Sequence, residues 1–183
     1  MECPLAHPTL MVRAEVLHQL GGYRAMGWAE DYDLCLRLWR AGVGLAKVPE
    51  VLFRWRDGRS RASRTLPEYA PEAFRQCKAT FLQESYLADG RAPLLFGAGP
   101  VGKAMARALL SRGMRLAGFV DLDPRKVGQC IYGVQVLDQE HALALQGTVF
   151  GLAAVGQVGG RQALRATLGA AGWADGVDYC AVA

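Results

Sequence analysis

Residues 93–121 read PLLFGAGPVGKAMARALLSRGMRLAGFVD, and this stretch decides the fold. A short apolar run, LLF, ends in Gly97-Ala98-Gly99-Pro100-Val101-Gly102. An Ala-rich segment with helical spacing follows, and then a second apolar run that ends on Asp121. Strand, glycine-rich turn, helix, strand is the context that gives the spacing G-x-G-x-x-G chemical meaning. Gly97 suits the tight turn, Gly99 the close approach of a pyrophosphate, and Gly102 the packing of helix on strand, with the helix N-terminus facing the anion. Asp121 lies about 20 residues beyond the turn, where an acid binds a ribose hydroxyl. The competing reading is a glycine turn that packs a Rossmann-like module and holds no ligand.

Downstream, TVFGLAAV (148–155) and DYCAVA (178–183) are candidate buried strands, with GGRQALRATLGAAG (159–172) as the helix between them. Alternating strands and helices imply α/β architecture with a small, doubly wound parallel sheet of about five strands. Upstream, Asp89-Gly90-Arg91-Ala92-Pro93 is turn chemistry and a linker. It divides the chain into residues 1–88 and 89–183. Just before it, Pro71 suits the first position of a helix whose stripe is Phe74, Cys77, Phe81 and Leu82.

The 183 residues are 51% hydrophobic and 21% charged, with a formal net charge of +4. That balance describes packed cores and does not by itself imply nucleic acid or membrane. Five scattered cysteines, none in a CxxC pair, argue against a disulfide framework or zinc site and for a reducing cytosol. No apolar run approaches the roughly 18 residues of a membrane span. The expectation is a cytoplasmic chain with no membrane span, although peripheral membrane association stays open.

In the first part, GGYRAMGWAEDYDLCLRLWRAG (21–42) places the acidic step Glu30-Asp31 ahead of an amphipathic helix. Leu34, Cys35, Leu38 and Trp39 form its apolar side, Arg37 and Arg40 the other, and Gly42 stops it. Glu30, Asp31 and Asp33 suit the positive end of the helix dipole, so capping and charging a helix start accounts for them without chemistry. The basic run Arg54, Arg56, Arg59, Arg61 and Arg64 is interleaved with Gly58, Ser60 and Ser63, which suits either a mobile phosphate-contacting loop or a solvated one. No aromatic platform beyond Trp55 accompanies it, so nucleic acid is not expected as a partner.

HPTLMVRAEVLHQLGGYR (7–24), AEDYDLCLRLWRAG (29–42) and VPEVLFRWRDGRSRASR (48–64) together resemble the C-terminal, acceptor-side half of an inverting family 2 glycosyltransferase of GT-A fold. The resemblance spans roughly residues 5–82. It implies Asp31, with Glu30, as the catalytic general base for a saccharide acceptor. A carboxylate aimed at the attacking hydroxyl is what an inverting displacement requires. It further implies that Arg56, Arg59 and Arg61 contact the donor diphosphate and that His7 and Trp28 line the substrate site. It also implies Mg²⁺ or Mn²⁺ bound with a nucleotide sugar in a full-length enzyme. The donor half with its DxD-type metal motif does not precede these segments, so the chain is expected to be a truncated enzyme, inactive alone, and no metal ligand is assigned within it. Arg56-Asp57 stands where the family often carries a metal-binding His.

GAGPVGK (97–103) and FVDLDPRKVGQCIYGVQVL (119–137) are similar to the small Rossmann-like domain appended to some bacterial glycosyltransferases and to the nucleotide-sugar-binding domain of sugar acyltransferases. That likeness implies a nucleotide or nucleotide sugar at Gly97, Gly99, Gly102 and Asp121. Two function classes result: a fragmentary glycosyltransferase acting on a nucleotide sugar and a saccharide, or a non-catalytic nucleotide-binding module with a regulatory or assembly role. An NAD-dependent oxidoreductase ranks last.

Overall fold

The computed structural model describes residues 5–54, 56, 58 and 61–183. The chain forms two compact units that divide after Cys77, inside one helix.

The second unit is built on a six-stranded sheet. Its strands are β1 (Ala92–Phe96), β2 (Gly118–Val120), β3 (Cys130–Ile131), β4 (Val134–Leu137), β5 (Val149–Ala153) and β6 (Tyr179–Ala181), in the order β3-β4-β2-β1-β5-β6. All neighbours pair parallel except β3 with β4. The order reverses at β1: from it the chain steps one way to β2 and β4, and later the other way to β5 and β6. This is a mixed α/β unit with a mostly parallel sheet, consistent with a Rossmann-like domain.

Burial on both faces explains the unbroken apolar strands. Along β1 the side chains alternate between two cores. Leu95 joins Phe119, Val136, Phe150 and Leu152 on one side, with Met105, Ala106 and Leu109 of helix α5 (Pro100–Leu110). Leu94 and Phe96 join Val120, Val149 and Ala153 on the other, with Leu168 of helix α7 (Gly160–Ala170) and Trp173. Ala142 of the short helix α6 (Gln139–Leu143) closes that second core. Ala79 and Leu82, from the end of helix α4 (Pro71–Glu84), belong to the first core, so the end of α4 is part of this unit.

The β3–β4 hairpin was not among the expected strands. It turns through Tyr132 (φ +52°) and Gly133 (φ +81°), with Ile131 paired to Val134. Two consecutive left-handed residues make the tight hairpin turn whose twist matches its strands. Strands this short leave no readable period.

The first unit carries helices α1 (Ala14–Gln19), α2 (Glu30–Arg40), α3 (Ala62–Thr65) and the start of α4. No strand occurs among its described residues, so the expected GT-A α/β segment is not supported. Helix α2 buries Tyr32, Leu34, Cys35, Leu36 and Leu38, while Trp39, expected in the apolar stripe, is half exposed. Arg37, expected on the solvent side, is instead 6% exposed. Its Nε donates to Asp33 Oδ2 at 2.7 Å, and its other nitrogens donate to the carbonyls of Leu20 and Gly22, each at 2.8 Å. Those carbonyls sit at the end of α1 and in the Gly21-Gly22 turn (φ +74° and +67°), where backbone acceptors lack helical partners. One buried guanidinium therefore ties α2 to the turn before it.

Candidate functional site

The glycine turn lies where the sheet order reverses, at the carboxyl ends of β1 and β5, the crevice in which open α/β sheets take ligands. Each glycine has its own reason to be there. Gly97 has φ +119°, and a Cβ on it would stand 2.9 Å from the Ala154 carbonyl oxygen beyond β5. Its N–H donates to Val120 at 2.8 Å. A Cβ on Gly102 would overlap the Gly97 carbonyl. Both glycines are therefore required by close packing of protein on protein. Gly99 differs: its φ of −86° suits any residue, and a Cβ there would meet nothing within 4 Å. It is the N-cap of α5, with no side-chain cap. Pro100 has no N–H, and those of Val101 and Gly102 have no acceptor among the described residues, as expected in a first helical turn.

Asp121 follows β2 beside the turn. Its Oδ2 accepts the Ala98 N–H at 3.1 Å and Lys126 Nζ at 2.8 Å, and its Oδ1 accepts the Asp123 N–H at 3.0 Å. Burial acts to raise its pKa, but the hydrogen bonds from Lys126, Asp123 and Ala98 outweigh it and hold the carboxyl below the usual range. Asp123 is paired with Arg125, whose side chain and backbone hydrogen bonds push it down to about 2. Lys126 is the residue that sequence reading missed. Its signal was present only as a Lys five positions after the acid, brought back to it by the turn at 124–128.

A separate cleft of about 490 Å³ lies within the first unit, lined by Tyr23, Arg24, Met26, Trp28, Glu30 and Tyr69 among others. Glu30 accepts from the Tyr69 hydroxyl at 3.2 Å and lies 4.0 Å from His7, whose Nε2 is 2.9 Å from the Tyr23 hydroxyl. Burial, then the charges of Asp31 and Glu30, push the Tyr69 phenol up to about 12. Trp28 Nε1 donates to Asp33 at 3.4 Å, and Asp31 Oδ1 accepts the Tyr32 N–H at 2.8 Å. Trp28 and Glu30 thus line one cleft, and His7 stands behind it against Tyr23 and Glu30. Arg56 is exposed, and Arg61 precedes α3. Arg59, with Cys3, Trp55 and Asp57, lies outside the described residues. Among the described residues no group of three or more His, Cys, Asp or Glu side chains is placed to hold a metal ion, and no helix is long and apolar enough to cross a membrane.

No family model matches the chain, and no curated protein matches it. Solved structures that it resembles include the crystal structure of RSP, a Rex-family repressor, at 19% identity and a TM-score of 0.43, covering 96% of this chain and 89% of that chain. The complex of RSP with β-NADH scores 0.42 at 19% identity, with coverage of 96% and 89%. The complex of RSP with β-NAD⁺ and operator DNA scores 0.41 at 18% identity, with coverage of 95% and 87%. None of these is a glycosyltransferase, and no family or curated match supports one. The expected glycosyltransferase function is therefore withdrawn, and Asp31 with Glu30 as its general base stands only as what the sequence resemblance implied. The saccharide acceptor goes with it, and the diphosphate role of Arg56, Arg59 and Arg61 and the Mg²⁺ or Mn²⁺ of a full-length enzyme likewise rest on the sequence resemblance alone. The expectation that nucleic acid is not a partner finds no support in these structures, one of which holds operator DNA.

Proposed function

We propose that the second unit is a non-catalytic nucleotide-binding module with a regulatory or assembly role, taking its ligand at Gly97, Gly99, Gly102 and Asp121. The observation that carries this reading is Gly99. Two of the three glycines are explained by protein packing, whereas Gly99 faces open space at the N-cap of α5. A glycine with no steric need inside the protein suits an outside group that must approach the backbone closely, and the bare N–H groups beside it suit an anion. Its place at the carboxyl end of β1, where strand order reverses, is the ligand position of doubly wound sheets. The cysteines among the described residues, Cys35, Cys77 and Cys180 buried and Cys130 exposed, fit a reducing compartment such as the cytoplasm.

The test is thermal unfolding of the full chain with NAD, NADP, ATP, UDP, UDP-sugars and coenzyme A. A ligand at a hundredfold excess over its dissociation constant adds about 2.7 kcal/mol. Gly99→Val is expected to abolish that protection and leave the unliganded melting temperature within a few degrees. If none of the ligands moves the melting temperature, the turn is structural and the reading fails.

A further inference from the structure

We propose that Lys126 makes the ribose end of this site selective for a nucleotide whose ribose bears a phosphate monoester, over the same nucleotide with a free diol. The inference rests on the nucleotide-binding reading and names the ligand class within it.

A free carboxylate at the end of β2 would chelate the two hydroxyls of a ribose. In this chain the capacity for that is largely used. A carboxylate has about four acceptor positions. Asp121 gives three of them to the Ala98 N–H, the Asp123 N–H and the Lys126 ammonium. A diol can gain one hydrogen bond there, and a second only by displacing a donor. The Ala98 N–H is a poor candidate for displacement, because Ala98 is 2% exposed and water cannot replace the carboxylate.

Lys126 has the opposite balance. An ammonium carries three donors. One lies on Asp121 at 2.8 Å, and the side chain is 37% exposed, against 14% for its partner. Asp123 competes only weakly for the remaining donors, since the Arg125 backbone N–H, Nε and Nη2 take three of its acceptor positions. A phosphate monoester, with close to two negative charges and three acceptor oxygens, can take those donors while the Asp121 pair stays intact. The lysine then bridges carboxylate and phosphate as a point charge. The chain bonds from Ala98, Asp123 and Lys126 offset the repulsion between Asp121 and the phosphate.

The experiment compares NADP⁺ with NAD⁺, and adenosine 2′,5′-bisphosphate and 3′,5′-bisphosphate with AMP, by calorimetric titration of the full chain. The phosphorylated member of a pair is expected to bind about tenfold tighter or more, the scale of one charged hydrogen-bonded contact. The two bisphosphates separate a 2′ from a 3′ preference. Lys126→Met, which keeps the apolar stem, should erase the preference, both by removing the phosphate contact and by freeing an acceptor position on Asp121 for the diol of NAD⁺ or AMP, and Lys126→Arg should retain the preference. Equal binding of NAD⁺ and NADP⁺, or a preference that survives in Lys126→Met, overturns the inference and leaves the nucleotide-binding reading standing. Failure of every nucleotide to bind overturns both. Should Lys126→Met not fold, the wild-type ratio and Lys126→Arg decide.

Discussion

Replacing Gly102 by Ala should be one of the most damaging single-methyl changes in this chain, and the same change at Gly99 one of the mildest. The added Cβ at Gly102 would overlap the Gly97 carbonyl oxygen, and the Gly97 carbonyl carbon would lie 3.0 Å away. Neither atom can swing aside. Gly97 is held by its N–H bond to Val120, by its left-handed backbone and by the Ala154 carbonyl at its back. Helix α5 must therefore lift from β1, opening the contacts of Met105, Ala106 and Leu109 with the sheet. Overpacking costs about 1–3 kcal/mol where side chains can yield. Rigid backbone puts this case at the upper end, and the gain of about 1 kcal/mol from Ala over Gly in a helix offsets only part. A net loss of about 2 kcal/mol corresponds to a melting point lowered by roughly 8–10 °C for a unit of this size. At Gly99, with open space and an ordinary φ, the change should stay within about 0.5–1 kcal/mol, the scale of an N-cap preference for Gly over Ala. Calorimetric melts of both variants without ligand provide the measurement. If Gly102→Ala melts within about 2 °C of the parent, or if both variants lose stability equally, the division of these glycines into packing and ligand positions is wrong.

Two further outcomes concern the first unit. Arg37→Met should destabilise it by about 3 kcal/mol in denaturant titration, because the largely buried Asp33 loses its cation, the Gly22 carbonyl loses its side-chain donor and the Leu20 carbonyl keeps only the longer bond from Arg24. A loss under about 1 kcal/mol would mean that water fills the gap. Tyr69 should ionise near pH 12 in a phenolate absorbance titration, held up by burial and by the charges of Asp31 and Glu30. Because its folded pKa lies above the ordinary value of 10.0, its contribution to stability is full below that pH and is lost as pH rises through about 12. Glu30→Gln should lower that midpoint without restoring the ordinary value, since burial and Asp31 remain, and an unchanged midpoint would remove Glu30 from the account.

What could be read from the sequence was what is decided locally. The turn from β1 into α5 is written in consecutive residues: an apolar run, glycines at fixed offsets, Pro100 at the first helical position. The strands at β1, β2, β5 and β6 are apolar throughout because both sheet faces are covered. Contacts decided across the chain were not legible in the same way. Helical spacing put Arg37 opposite the apolar stripe, and nothing in α2 says that two carbonyls from the Gly21-Gly22 turn, some fifteen residues earlier, need a donor inside. The acidic step Glu30-Asp31 is ambiguous for a related reason. Carboxylates at a helix start favour the dipole whatever the protein does, so the pattern alone cannot separate chemistry from charge compensation. Asp121 stands between the two cases. Its position at the end of β2 followed from the strand pattern, but its state did not. Whether that acid waits for a ribose or is already held by Ala98, Asp123 and Lys126 depends on how the chain turns after Pro124. A motif states which group is present at a site, and the free lone pairs left on that group decide what it can bind.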